Sequence, residues 1–88
     1  MDQKEKEETE IRRLWWHSRR GMLELDGLLL PFTENKFRGL TEANKFLYRR
    51  LIDCEDQDLF DWFMQKSKSE DTELQRMVEI VLEYARNG

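Results

Sequence analysis

An all-α fold, a compact bundle of about five short helices in a single domain spanning 1–88, follows from three features of the chain. Apolar residues recur every three to four positions through most of its length, the spacing of one helical face. Strand formers are scarce, with two valines and three isoleucines among 88 residues, and no alternating β-branched run occurs. Helix breakers are also few: one proline and four glycines.

The first helix is expected from about Lys4 to Arg19. Ile11, Leu14, Trp15 and Ser18 form its inward stripe. Arg19 and Arg20 are expected in its last turn, against the negative end of the helix dipole. Gly21 follows as a residue able to take positive φ. The stretch 1–10 is strongly charged and is read as a partly frayed N-terminal extension. A second helix is expected from about Met22 to Lys36. Glu24 and Asp26 sit in its first turns, and Met22, Leu25, Leu29 and Phe32 share one face that Leu28 widens. Pro31 lacks a backbone donor, so a kink or a fresh start is expected there. Gly39 closes the segment.

Thr41 is the expected N-cap of a third helix reaching about Asp53, with Phe46, Leu47, Leu51 and Ile52 facing inward. A fourth is expected from about Asp56, as its cap, to Gln65. Leu59, Phe60, Trp62, Phe63 and Met64 cover most of its circumference. The polar loop Lys66-Ser67-Lys68-Ser69 precedes a fifth helix, which starts near Ser69 or Asp71 and reaches about Arg86. Leu74, Met77, Val78, Val81, Leu82 and Ala85 follow the helical pattern closely.

Composition narrows the function. Hydrophobic and charged residues each make up 39% of the chain, and ten aromatic side chains need a core. A chain this short removes roughly 60% of its unfolded surface from water, enough for a thin core and seldom for a deep catalytic cavity. One cysteine, Cys54, excludes an intrachain disulfide and suits a reducing compartment. No segment approaches the roughly 20 apolar residues that span a bilayer. The acid-containing N-terminus is expected to be neither a signal nor a transit peptide. A cytoplasmic protein without membrane insertion is expected, with a mature organellar chain freed of its presequence as the alternative.

The net charge of −4 argues against general nucleic-acid binding. The charges are nevertheless segregated. Arg12, Arg13, Arg19 and Arg20 fall between Ile11 and Leu23 without an acid. Asp53, Glu55, Asp56, Asp58 and Asp61 fall together without a base. Each run is read either as a solvated surface or as half of a dipolar surface that orients a protein partner.

Catalytic chemistry lacks its usual parts. His17 and Cys54 are each the sole residue of their type, so neither a zinc cage nor a Cys–His pair is available. Acids flank Cys54 and disfavour its thiolate. The acidic run 53–58 has neither the glycine nor the spacing of a calcium loop, and no glycine-rich phosphate cradle is present. No enzyme and no metal site are expected.

The most informative stretch is Arg19-Arg20-Gly21-Met22-Leu23-Glu24-Leu25-Asp26, running on to Leu30 and Phe32. As pure structure it is a basic helix end, a glycine stop and an acidic helix start. As a surface, it exposes a bare backbone edged by a guanidinium and a carboxylate, well suited to seating against another protein. Trp15 and Trp16 are adjacent, so a helix cannot bury both equally. One is expected in the core, and the other, Trp16, at an interface or over a helix end.

The Arg20-Gly21-x-x-Glu24 cluster resembles the signature of the SdhE family, small factors that promote covalent attachment of FAD to succinate dehydrogenase. The resemblance runs from about Arg12 to Val81 and includes Leu40, Phe46, Leu51 and the Asp56-x-Asp58-Leu59-x-x-Trp62 element. Gly27 departs from the pattern where a better helix former is expected. The resemblance implies an assembly factor whose partner is the flavoprotein subunit of succinate dehydrogenase, or that of fumarate reductase. It implies that a partner histidine bonds to the FAD 8α-methyl. FAD would belong to that partner, with no cofactor held stably by this chain. It implies a contact centre of Arg20, Gly21 and Glu24, joined by Arg19, Asp26, Arg13 and Trp16. A monomer is expected when free. Two other classes compete. One is an antitoxin-like regulatory module acting through the acidic face. The other is duplex binding through Arg12, Arg13, Arg19 and Arg20.

Overall fold

The computed structural model describes residues 3–87; Met1, Asp2 and Gly88, at the ends of the expected domain, lie outside them. The elements are α1 (Gln3–Ser18), α2 (Leu23–Asn35), a 3-10 turn (Phe37–Gly39), α3 (Glu42–Ile52), α4 (Asp56–Phe63) and α5 (Thr72–Asn87). The described residues contain no strand, as the scarcity of strand formers requires.

The apolar stripes define the packing. Leu25, Leu29 and Phe32 of α2 are fully buried against Leu51 and Ile52 of α3 and Met77, Val78 and Val81 of α5 within one core cluster. α4 contributes Leu59 and Phe63. α1 lies mainly against α2 and buries Ile11, Leu14 and Ser18. Each large apolar side chain so buried contributes about 1.5–3 kcal/mol. That sum explains why α2 tolerates Pro31, whose interior position costs about 3 kcal/mol. The fresh start expected at Pro31 does not occur, and α2 runs unbroken to Asn35. The carbonyl that Pro31 leaves without its usual donor is that of Gly27, which is exposed to water.

Four further expectations change. α1 ends at Ser18, so Arg19 and Arg20 lie in the connection and not in a last helical turn. Ser18 closes that end from within, its hydroxyl donating to the Trp15 carbonyl at 3.0 Å. Phe46 is 59% exposed, while Tyr48 is fully buried in its stead. Leu47, Tyr48, Leu51 and Ile52 form the true inward stripe of α3, and Phe46 lies off its edge. Asp56 is the first residue of α4 and not its cap; Glu55 holds the cap position without a side-chain bond. Ala85, expected on the inner stripe of α5, is exposed near the helix end.

Other local signals hold. Thr41 caps α3, its hydroxyl accepting from the Asn44 amide at 3.1 Å. Asp71 caps α5, accepting from the Glu73 and Leu74 amides at 2.9 and 3.2 Å. The buried Tyr48 hydroxyl is satisfied by Thr33 at 2.7 Å and by the Leu29 carbonyl at 3.3 Å. Burial pushes its pKa far up. Phe37, buried in the 3-10 turn, packs near the Tyr48 ring at 5.8 Å. The charged first segment is tied to α3. Arg49 donates to both oxygens of Glu10, at 2.5 and 2.9 Å, and Lys45 lies 3.6 Å from Glu7. The bond to Arg49 holds the Glu10 carboxyl below its usual range.

Candidate partner-docking corner

The connection between α1 and α2 reverses the chain in four residues, Arg19 to Met22. Gly21 takes φ 76°, a left-handed conformation that side chains disfavour. Asp26, in the first turn of α2, reaches back and accepts the Arg20 backbone N–H at 2.8 Å. Its own amide donates to the Met22 carbonyl at 2.8 Å, the first bond of α2. One carboxylate thus closes the whole reversal and lies near the positive end of the α2 dipole.

The Arg20 side chain turns away from this reversal. One guanidinium nitrogen, Nη1, donates to Asp56 Oδ1 at 3.1 Å, and Nη2 donates to the Ile52 carbonyl. The side chain is only 13% exposed. The outward guanidinium expected beside Gly21 is therefore an inward strut. The reason is electrostatic: the Ile52 carbonyl ends α3 without a helical partner, and Asp56 opens α4 with a carboxylate. A buried arginine fork satisfies both.

The other side chains of the corner face out. Gly21 and Glu24 are exposed, and Glu24 pairs with nothing among the described residues. Trp16 is 61% exposed, with its ring edge-to-face on the half-buried Trp15 at 5.1 Å. One tryptophan packs and the other is displayed, as their adjacency predicts. The Arg19 guanidinium lies 5.8 Å from the Trp16 ring centre, within cation–π range. Arg13 is exposed one turn before Trp16 on α1. The structure thus sorts the named residues into two sets. Gly21, Glu24, Arg19, Arg13 and Trp16 form an outward group, and Arg20 and Asp26 form an inward one.

Two participants escaped the sequence reading. Leu23, between Gly21 and Glu24, is 88% exposed. The helical wheel carried that signal, because an inward Leu25 places Leu23 roughly 200° away. Asp56 had no local signal as an arginine partner 36 positions distant.

The segregated charge runs prove partly complementary within the molecule. His17 Nε2 lies 2.9 Å from Asp53 Oδ1, and Arg20 meets Asp56 as described. Cys54 is half-buried, and burial, with Asp58 nearby, pushes its thiol pKa up, away from nucleophilic chemistry. Among the described residues, no cluster of His, Cys, Asp and Glu is arranged to hold a metal ion. No helix of these residues is long and apolar enough to cross a membrane.

Comparison with known proteins places the chain in a family. Residues 12–85 match the family described as flavinator of succinate dehydrogenase. The chain is 61% identical over 77 residues to the FAD assembly factor SdhE of Pseudomonas putida, covering 88% of this chain and 92% of that one. It is 53% identical over 77 residues to its counterpart in Pseudomonas aeruginosa, with the same coverage. It is 48% identical over 82 residues to that of Idiomarina loihiensis, covering 93% of this chain and 91% of that protein. A match over nearly the whole described chain, with relatives of similar length on both sides, shows that this protein belongs to the family of succinate dehydrogenase flavinators.

Proposed function

We propose that this protein docks on the flavoprotein subunit of succinate dehydrogenase and promotes covalent attachment of FAD to it. Family membership supports the class of function. The observation that carries the docking reading is the outward display of Gly21, Leu23, Glu24 and Trp16 around the reversal that Asp26 closes. Tryptophan is among the residue types enriched at interface hot spots, and the exposed leucine adds apolar area beside the bare backbone and the unpaired carboxylate.

In this reading the chain is a monomeric cytoplasmic factor and not a catalyst. FAD and the reacting histidine belong to the partner, and the flavoprotein of fumarate reductase is a second candidate. The contribution of this chain is differential binding. A factor that grips the reactive partner conformation more tightly raises its population by that difference in affinity. Moving a partner from 1:99 to 99:1 takes about 5.5 kcal/mol. An interface of roughly 800 Å² per side is the usual size for specific binding. The acidic-face alternative has less support, because Asp53 and Asp56 are engaged by His17 and Arg20.

Deletion of the gene tests the proposal. The flavoprotein of the deletion strain should lose its in-gel flavin fluorescence, and the wild-type gene should restore it. Normal fluorescence without the gene would overturn the reading. Glu24→Ala should fail to restore fluorescence while the purified variant keeps its helical circular dichroism.

A further inference from the structure

The Arg20-Gly21-x-x-Glu24 cluster reads as a row of contact residues, but the position of Arg20 is at odds with that role. We propose that Arg20 is a positioning residue, and that Asp56 and the Ile52 carbonyl belong to the docking element with it. Together they form a latch between the α1–α2 reversal and the α3–α4 corner. The inference rests on the docking function proposed above and assigns the parts of its surface.

Three bonds converge on Arg20. Its backbone N–H donates to Asp26, its Nη1 to Asp56 and its Nη2 to the Ile52 carbonyl. Its Nε is buried and has no partner. A guanidinium committed to two acceptors and nearly enclosed cannot also fork a partner's carboxylate without abandoning both. Gly21 and Glu24, the neighbours it precedes, carry no comparable restraint of their own on the solvent side. Their orientation is set from behind, through Asp26 on one side and the latch on the other. Arginine suits the task because its planar fork meets two acceptors at once; a lysine ammonium is a single point charge on a flexible stem.

The latch also explains why the docking corner stands where α3 gives way to α4. Ile52 is the last residue of α3, so its carbonyl has no helical donor. Asp56 is the first residue of α4. A short connection leaves both acceptors side by side. Arg20 joins a region of the chain 36 residues away to the reversal that carries Gly21.

The test uses purified full-length protein in two measurements. Backbone amide exchange in the free chain needs no partner. Asp56→Ala should make the Arg20 amide exchange about tenfold faster, while amides of the α5 core keep their rates. Affinity for the purified flavoprotein is the second. Asp56→Ala, Arg20→Lys and the double variant should each bind about tenfold more weakly, and the double should be no weaker than either single. Asp56→Glu, which keeps an acceptor for Nη1, should recover most of the affinity. Three results would overturn the latch: unaltered exchange at Arg20, full affinity in Asp56→Ala, or additive losses in the double variant. Additive losses would mean that Arg20 touches the partner directly. Wild-type affinity is measured alongside; its absence would sink the docking function and leave the exchange result to judge the latch.

Discussion

Two interhelical connections in this protein put a residue in the left-handed region, and they solve the same problem differently. Between α1 and α2 the residue is Gly21, at φ 76°; between α4 and α5 it is Gln65, at φ 62°. Both connections are held by a carboxylate. Asp26 accepts the Arg20 amide in the first. Asp71 caps α5 and accepts from Arg50 at 2.7 Å in the second. The second shows that this fold can carry a full side chain at positive φ, at a strain of about 1–2 kcal/mol. Space inside the protein does not demand glycine in the first either, since a Cβ at Gly21 would meet no atom within 4 Å. What distinguishes Gly21 is its neighbourhood: Trp16, Leu23 and Glu24 are displayed around it. In the docking reading, its bareness serves a surface that must come close from outside.

The contrast can be broken most directly by placing the same side chain in both connections. Gly21→Arg should abolish capture of the flavoprotein in pull-down while helical circular dichroism is retained, whereas Gln65→Arg should leave capture intact. Equal loss in both would mean that the two connections do not differ in role. Loss of fold in Gly21→Arg alone would assign the glycine to stability.

The carboxylate clasp comes next. Asp26→Ala strips the acceptor from the Arg20 amide and should lower unfolding free energy by about 1–2 kcal/mol in urea denaturation. A value near zero would mean that water replaces the clasp without loss, and that the reversal is held by Arg20 alone.

A smaller pair of effects has opposite signs. Gly21→Ala should destabilise by about 1 kcal/mol, and Gln65→Gly should stabilise by a similar or smaller amount. For a chain of this size, 1 kcal/mol corresponds to about 4–8 °C in Tm. Shifts in the same direction would show that local packing outweighs backbone strain at one of the sites.

The smallest effect concerns acid. The Arg50 bond, with help from the Leu74 and Glu73 amides, holds the Asp71 carboxyl below its ordinary value of 3.8. A depressed acid pKa in the folded state supplies stability that is fully present above the ordinary value. It is lost as pH falls through the folded one. Amides of 69–74 should therefore lose protection as pH drops below 3.8, and Asp71→Asn should flatten that dependence. An unchanged profile in Asp71→Asn would remove Asp71 as the source.

Much of the fold was legible because helices announce themselves locally. The stripes Leu25, Leu29, Phe32 and Leu74, Met77, Val78, Val81 are each short-range patterns, and all seven side chains are buried. Thr41 as a cap and Gly21 at positive φ are also short-range facts. The errors share a cause. Phe46 fits a helical stripe by hydrophobicity, but whether it meets another helix depends on how α3 is rolled against α2 and α5. Pro31 should interrupt an isolated helix; burial of its neighbours offsets that cost.

The chain's own order of residues determined that this is a small helical protein with a bare, charged reversal after its first helix. Periodicity, capping and glycine geometry act within a few residues and need no partner to be read. Only the tertiary structure decided which side chains of that reversal face outward. Arg20 and Glu24 look equally available in the sequence, yet one is enclosed between Ile52 and Asp56 and the other is exposed. The difference arises because folding brings the unpaired end of α3 and the acidic start of α4 within reach of one guanidinium. No local pattern encodes a meeting across 36 residues.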